Sequence, residues 1–378
     1  MSAAVTANPE KTDAAPARYS LRDQVKFLKD FWVAPEHKWK ARFMLGGILA
    51  LTVAEIALTA GVGLGFQAAL NALVAKQAMT FALTGGATVA GIGASAVAAN
   101  GREYITSNLG QNWRGWLTKQ FNTAWLGGKA YLRLQHSKKY TQNPDQRIAE
   151  TIGNVTGSTL GLTLGLFHSV VGVAIFSAML WHISPLLVGT AVVCSLGAHA
   201  ATHYAGGSLG RIWQGINDTE AKFRHALTRV RDNAKTIALT GMEPVEDETL
   251  TREFGKVDAN RRELFKVNAK TGIVGWMNMS SVSIVPIALS APKFFAGTAT
   301  LGGLELTRQA YTQFYFALSW FPQSYAAIAN WKANMNQLMD FRKDLDANKS
   351  DIVSRLPSEL KVPKAEALQP KTPPGPAP

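Results

Sequence analysis

Glu55 is the first group in this sequence with chemistry to explain. It stands in a stretch, Phe43 to Ala75, that contains no Lys, Arg or Asp. With Thr52, Thr59, Gly63, Gln67 and Asn71 it recurs at spacings of three and four, which sets these residues along one helical face. Glu305, Gln309, Thr312, Ser319 and Gln323 draw a similar line near the far end. An ionised carboxylate at the centre of a membrane-crossing helix costs roughly 2.5–3.5 kcal/mol. Protonating a glutamate of pKa about 4.3 at pH 7 costs about 3.7 kcal/mol. The two states are nearly balanced, as a group that takes up and releases a proton with its surroundings requires. Glu55 is therefore the expected proton-coupling residue, with Glu305 and Glu103 as secondary candidates and Thr52, Thr59, Gln67 and Gln309 on the same polar faces. A helix-to-helix hydrogen bond from Glu55 to a nearby Thr or Asn is the plainer reading.

Other reactive groups point to no enzyme. His199 and His203 lie one helical turn apart, but no further ligand accompanies them and Ala200 stands where a His-Glu-x-x-His zinc site needs its glutamate. They are expected to pack between helices, as are His168 and His182. Cys194 is the single cysteine, which excludes an intrachain disulfide and a thiolate metal site. Gly128-Lys129 and Gly255-Lys256 lack the preceding glycine and following hydroxyl of a phosphate loop. No cofactor or metal is expected. Trp113, Trp116 and Trp125 fall at helical spacing and read as packing residues rather than a stacking platform.

The elements that must position these groups are membrane helices. About 20 residues of helix cross a hydrocarbon core of roughly 30 Å. Six stretches qualify: Phe43 to Ala75, Met79 to Asn100, Ser158 to Ile183, Pro185 to Gly206, Gly272 to Pro292 and Leu304 to Ala327, the last carrying Arg308. The second is rich in Gly, Ala and Thr, the small residues that allow close helix packing in a bilayer. Of the 39 basic residues, all but Lys76, Lys293 and Arg308 fall in alternate connections or in the terminal segments. The positive-inside rule then puts both ends and two long loops in the cytoplasm. This placement accounts for the net charge of +13 without nucleic acid.

The expected organisation is a polar tail over 1–18 without a hydrophobic signal region, a six-helix membrane domain over 19–345, and a Pro/Lys-rich tail over 346–378. Within the domain, an interfacial elbow helix with Phe27, Phe31, Trp32 and Trp39 covers 19–42, and the crossings cover 43–75, 79–127, 156–183, 185–215, 270–293 and 304–340. The second crossing is expected to run on far into the cytoplasm. Gly241 and Pro244 are expected to mark a turn between two helices of the second long loop.

Several runs carry a family resemblance: Trp113-Arg114-Gly115-Trp116, Tyr131-Leu132-Arg133-Leu134, and above all Asn143-Pro144-Asp145-Gln146-Arg147-Ile148-Ala149-Glu150. Glu220-Ala221-Lys222-Phe223-Arg224, Arg231-Asp232-Asn233-Ala234 and Phe294-Phe295-Ala296-Gly297 add to it. The chain resembles the membrane domain of the ABC transporter group that includes SbmA, BacA, YddA and the peroxisomal fatty-acyl transporters. The resemblance covers Phe27 to Leu345 and implies an all-α fold, six transmembrane helices of ABC-exporter type with long cytoplasmic extensions. It further implies that Asn143, Pro144, Asp145, Gln146, Arg147, Glu150, Glu220 and Arg224 form elements that touch an ATPase. As a turn, Asp145 can cap a short helix, Pro144 fits its first turn, and Arg147 is free to meet a carboxylate. Thr151 and Lys235 stand where relatives usually carry acidic residues.

The chain is accordingly read as a multi-pass protein of the bacterial inner membrane, homodimeric because one copy alone is expected to leave its polar faces toward lipid. The leading expectation is a proton-driven, SbmA/BacA-like transporter of peptides or other bulky solutes, without an ATPase domain of its own. The first alternative is a transmembrane subunit working with a separate ATPase. The second is a membrane scaffold that transports nothing.

Overall fold

The computed structural model describes residues 19–127, 130–136 and 144–346. The two expected tails lie outside the described residues, except that Asp346 closes the last helix. Among the described residues every element is helical. Helix α1, Leu21–Val33, opens on Ser20, whose hydroxyl accepts from the Asp23 amide while the Asp23 carboxylate accepts from the Ser20 amide. It ends at Ala34, which precedes Pro35 and is extended as a pre-proline residue prefers. The elbow is thus shorter than 19–42, because residues from Lys38 onward already belong to the next helix.

Then come α2 (Lys38–Val74), α3 (Ala78–Leu126), α4 (Ala130–His136), α5 (Pro144–Gln146), a π turn (Arg147–Thr151) and α6 (Ile152–Ile183). They are followed by α7 (Pro185–Gly206), α8 (Leu209–Asp232), α9 (Ala234–Thr240), α10 (Glu243–Phe295) and α11 (Leu301–Asp346). Gly241 caps α9 at φ +65°, a left-handed backbone that favours glycine, and Pro244 sits in the first turn of α10. The expected turn is there, with one further break at Asn233.

At 1.5 Å per residue the 49 residues of α3 extend about 74 Å and the 53 of α10 about 80 Å, more than twice a hydrocarbon core. Among the described residues five spans are long and apolar enough to cross a membrane: Lys38–Val74, Ala78–Leu126, Pro144–Ile183, Pro185–Asp232 and Glu243–Phe295. Helix α11, the expected sixth crossing, is long enough, but its Glu, Arg, Gln, Thr and Ser residues make it less apolar than the rest.

The described residues divide into two compact units. The first draws on the described residues of the segments 19–50, 101–164 and 324–346. Its core joins α1, α3, α6 and α11 through Phe31, Trp113, Phe121, Val155, Leu338 and Phe341. Phe31 stacks on Trp113 and Phe121 on Phe341, each pair with ring centroids 5.5 Å apart. Trp113 is therefore packing, and Trp116 and Trp125 lie partly buried against the same core.

The second unit comprises Leu51–Asn100 and Gly165–Gln323. Ile56, Phe176, Leu180, Leu187, Tyr311 and Tyr315 hold α2, α6, α7 and α11 together, while Ile212, Ile216 and Leu264 join α8 to α10. Helices α2 and α3 approach closely at two points, where a Cβ on Gly65 would meet Thr88 Oγ1 at 2.7 Å and one on Gly91 would meet Val62 at 3.1 Å, whereas Gly85, Gly86 and Gly93 of α3 have open space beside them.

Candidate functional site

In the second unit the polar faces of α2 and α11 look at each other. Asn71 Oδ1 accepts from the Gly302 amide at 3.1 Å, and Gly302 leaves no room for a Cβ against the Gln67 carbonyl. One turn back along α2, a Cβ on Gly63 would lie 2.9 Å from Gln309 Oε1. Gln67, Asn71 and Gln309 are thus brought together as interhelical contacts. Part of each face thus finds cover inside one chain, while Gln323 at the far end of the α11 line is exposed.

Farther back still, Glu55 and Thr59 open onto a cavity of about 250 Å³. Helix α6 contributes His168, Ser169 and Phe176 to its wall, and α11 contributes Gln313, Phe316 and Trp320. Ser169 Oγ donates to the Ala317 carbonyl at 2.7 Å and ties the two walls. A Cβ on Gly165 would meet Trp320 Nε1 at 2.5 Å, so only glycine leaves the indole its place. His168, read from sequence as packing, turns out to share this cavity with Glu55. Gln313 and Trp320 were missed, because nothing local joins residues so far apart in the chain.

Other candidates stand elsewhere. Thr52 is buried and does not line the cavity. Thr312 and Ser319 return their hydroxyls to carbonyls of their own helix, Arg308 and Tyr315. Glu305 is paired with Arg308, whose Nε donates to Glu305 Oε2 at 2.8 Å. Their spacing of three was a visible signal. Glu103 belongs to the first unit and is exposed.

The Asn-Pro-Asp-Gln-Arg run has its own geometry in the first unit. Asn143 lies outside the described residues. Pro144 is the first residue of α5, so Asp145 sits within the first turn and complements the helix dipole instead of capping it. Arg147 donates to Gln337 Oε1 of α11, a carboxamide where a carboxylate was expected. Gln146 Nε2 reaches Glu150 Oε2 at 3.2 Å. The helix widens into a π turn over Arg147–Thr151, with the Ile152 amide donating to the Arg147 carbonyl. Such turns interrupt the regular ladder. Arg114 of α3 supplies an outside donor, its Nη2 reaching the Ala149 carbonyl at 2.9 Å. Between them lies an open cleft of about 550 Å³ lined by Arg114, Thr118, Asn122, Trp125, Asp145 and Ile148. In the second unit Glu220 of α8 pairs with Arg261 of α10, and Arg224 is exposed.

Helices long enough to run well past a bilayer, with a partly buried polar seam between α2 and α11, define a multi-pass membrane protein of the transporter class. The chain belongs to the family described as ABC transporter transmembrane region 2, which matches residues 28–295. It is similar to ABC transporter D family member 2, chloroplastic, of Arabidopsis thaliana, 27% identical over 332 residues that cover 85% of this chain and 46% of that protein. The inner membrane ABC transporter ATP-binding protein YddA of Escherichia coli is 28% identical over 261 residues, 64% of this chain and 46% of YddA. An uncharacterised ABC transporter ATP-binding protein of Synechocystis is 28% identical over 251 residues, 66% of this chain and 38% of its own length. The chain spans less than half the length of each of these relatives. The membrane component of an ABC transporter, the first alternative above, is thus favoured over the proton-driven reading.

Proposed function

We propose that this chain forms the transmembrane half of an ATP-driven transporter, which moves a bulky solute by alternating access and couples to an ATP-binding domain outside these 378 residues. The observation that carries the reading is the family match over residues 28–295, together with relatives that are themselves named as ATP-binding proteins. The arms of α3 and α10, about 40 Å or more beyond a bilayer by their length, give such a domain somewhere to sit. Asn143, Pro144, Asp145, Gln146, Arg147 and Glu150 would form one contact with it and Glu220 and Arg224 another. Asp145, Gln146 and Glu150 are exposed and available for that contact. Alternating access needs a second wall, which a second copy of the chain would supply.

The test is ATPase activity of the chain assembled with its ATP-binding domain in liposomes. The expected result is hydrolysis stimulated by the membrane chain and lost on Glu150→Arg. Accumulation of solute under a proton gradient with no nucleotide present would overturn the reading.

A further inference from the structure

If ATP supplies the energy, the carboxylate of Glu55 has no coupling proton to carry, yet it lines a cavity formed by α2, α6 and α11. We propose that its cavity is a subsite for a compact organic cation, an ammonium group, on the transported solute; this inference rests on the transporter reading above. Glu55 brings the one carboxylate of the lining, and neither Lys nor Arg is among the lining residues. Three of the walls are the aromatic residues Phe176, Phe316 and Trp320. A carboxylate together with aromatic rings is the combination that attracts a desolvated ammonium, through charge and through the negative faces of the rings. Ring placement is built in, since Gly165 leaves Trp320 room that any larger residue would take. Size agrees. At about 250 Å³ the cavity falls below the roughly 300–1,000 Å³ of pockets that hold a whole drug-sized ligand, so it suits one group of a larger molecule. A carboxylate that repels anions at the same point gives the path a charge preference as well as an affinity.

The experiment uses the full chain in phosphatidylcholine nanodiscs at pH 8. Binding of benzyltrimethylammonium is compared with that of neopentylbenzene, its neutral carbon analogue, by titration calorimetry. The expected result is a cation preference of about tenfold or more, abolished by Glu55→Gln and kept by Glu55→Asp. Equal binding of the two probes by the wild type, or a preference that survives Glu55→Gln, overturns the inference. Should Glu55→Gln fail to fold, Trp320→Leu and Trp320→Phe decide, the first losing the preference and the second keeping it; loss in neither overturns the inference. Absence of a cation preference in a chain that still stimulates ATP hydrolysis removes this subsite alone, whereas absence of ATP coupling removes the reading beneath it.

Discussion

Arg308 and Glu305 form a charged pair near the start of α11. Each neutralises the other within one turn of α11, and both side chains are only about a quarter to a third exposed. Removing one partner strands the other, so Arg308→Gln and Glu305→Gln should each destabilise the protein by about 1–3 kcal/mol, between the exposed and the buried limits for ion pairs. The double substitution should recover most of that loss in detergent melts. Tyr19 makes a different prediction, outside the membrane. Its hydroxyl donates to Asp340 Oδ1 at 2.7 Å. Burial, then that bond and the negative charges of Asp340 and Asp344, push the phenol above its ordinary value of 10.0. The folded chain therefore holds the proton more tightly than the unfolded one, and the stabilisation is complete below pH 10 and falls as pH rises beyond it. Tyr19→Phe should melt lower than the wild type at pH 8, with the gap closing above pH 10. The pairing of Arg308 with Glu305 could be read from their spacing of three, although Glu305 was expected only as a proton-coupling candidate. That Glu55 and Trp320 line one cavity could not, since it depends on how three helices pack.

At the scale of elements, the turn at Arg147–Thr151 is the departure from regularity that most invites a functional account. A π turn disturbs the carbonyl ladder, and Arg114 reaches across from α3 to bond the Ala149 carbonyl. A hydrogen bond from a charged donor is worth about 1.5–3 kcal/mol, less where exposed. Arg114→Ala should therefore speed hydrogen exchange at amides 147–152 by roughly tenfold while leaving the global melt nearly unchanged. Exchange unaltered at those amides would show that the turn holds itself. The sequence made the helices legible wherever apolar length or a backbone rule sets their limits, as at Pro35, Gly241 and Pro244. It did not disclose the π turn, because no side chain in Arg-Ile-Ala-Glu-Thr requires that geometry and the bond from Arg114 comes from another helix. In the sequence the sixth helix is a stretch that carries Glu305 and Arg308 on a polar face, and that face is what keeps it outside the five apolar spans found among the described residues.

For the molecule as a whole, charge placement predicts an orientation. Basic residues concentrate before the first crossing, from Gly101 to Thr151, from Arg211 to Lys270 and after Lys332, so the positive-inside rule predicts that the π turn and the α9–α10 corner are each cytoplasmic. It predicts that the short connection between α2 and α3, and the one between α10 and α11, are not. Cys194 is the only cysteine, so Cys194→Ala gives a background free of thiols. Single cysteines placed on it as Gln77→Cys or Ala296→Cys should react with a membrane-impermeant maleimide in intact cells. Gln146→Cys and Met242→Cys should react only after the cells are opened. All four positions are exposed, so a failure to label reports sidedness and not burial. Labelling of Gln146→Cys from outside would put the Asn-Pro-Asp-Gln-Arg turn on the face away from ATP. No coupling through that turn could then operate, however well the helices match those of ATP-driven relatives.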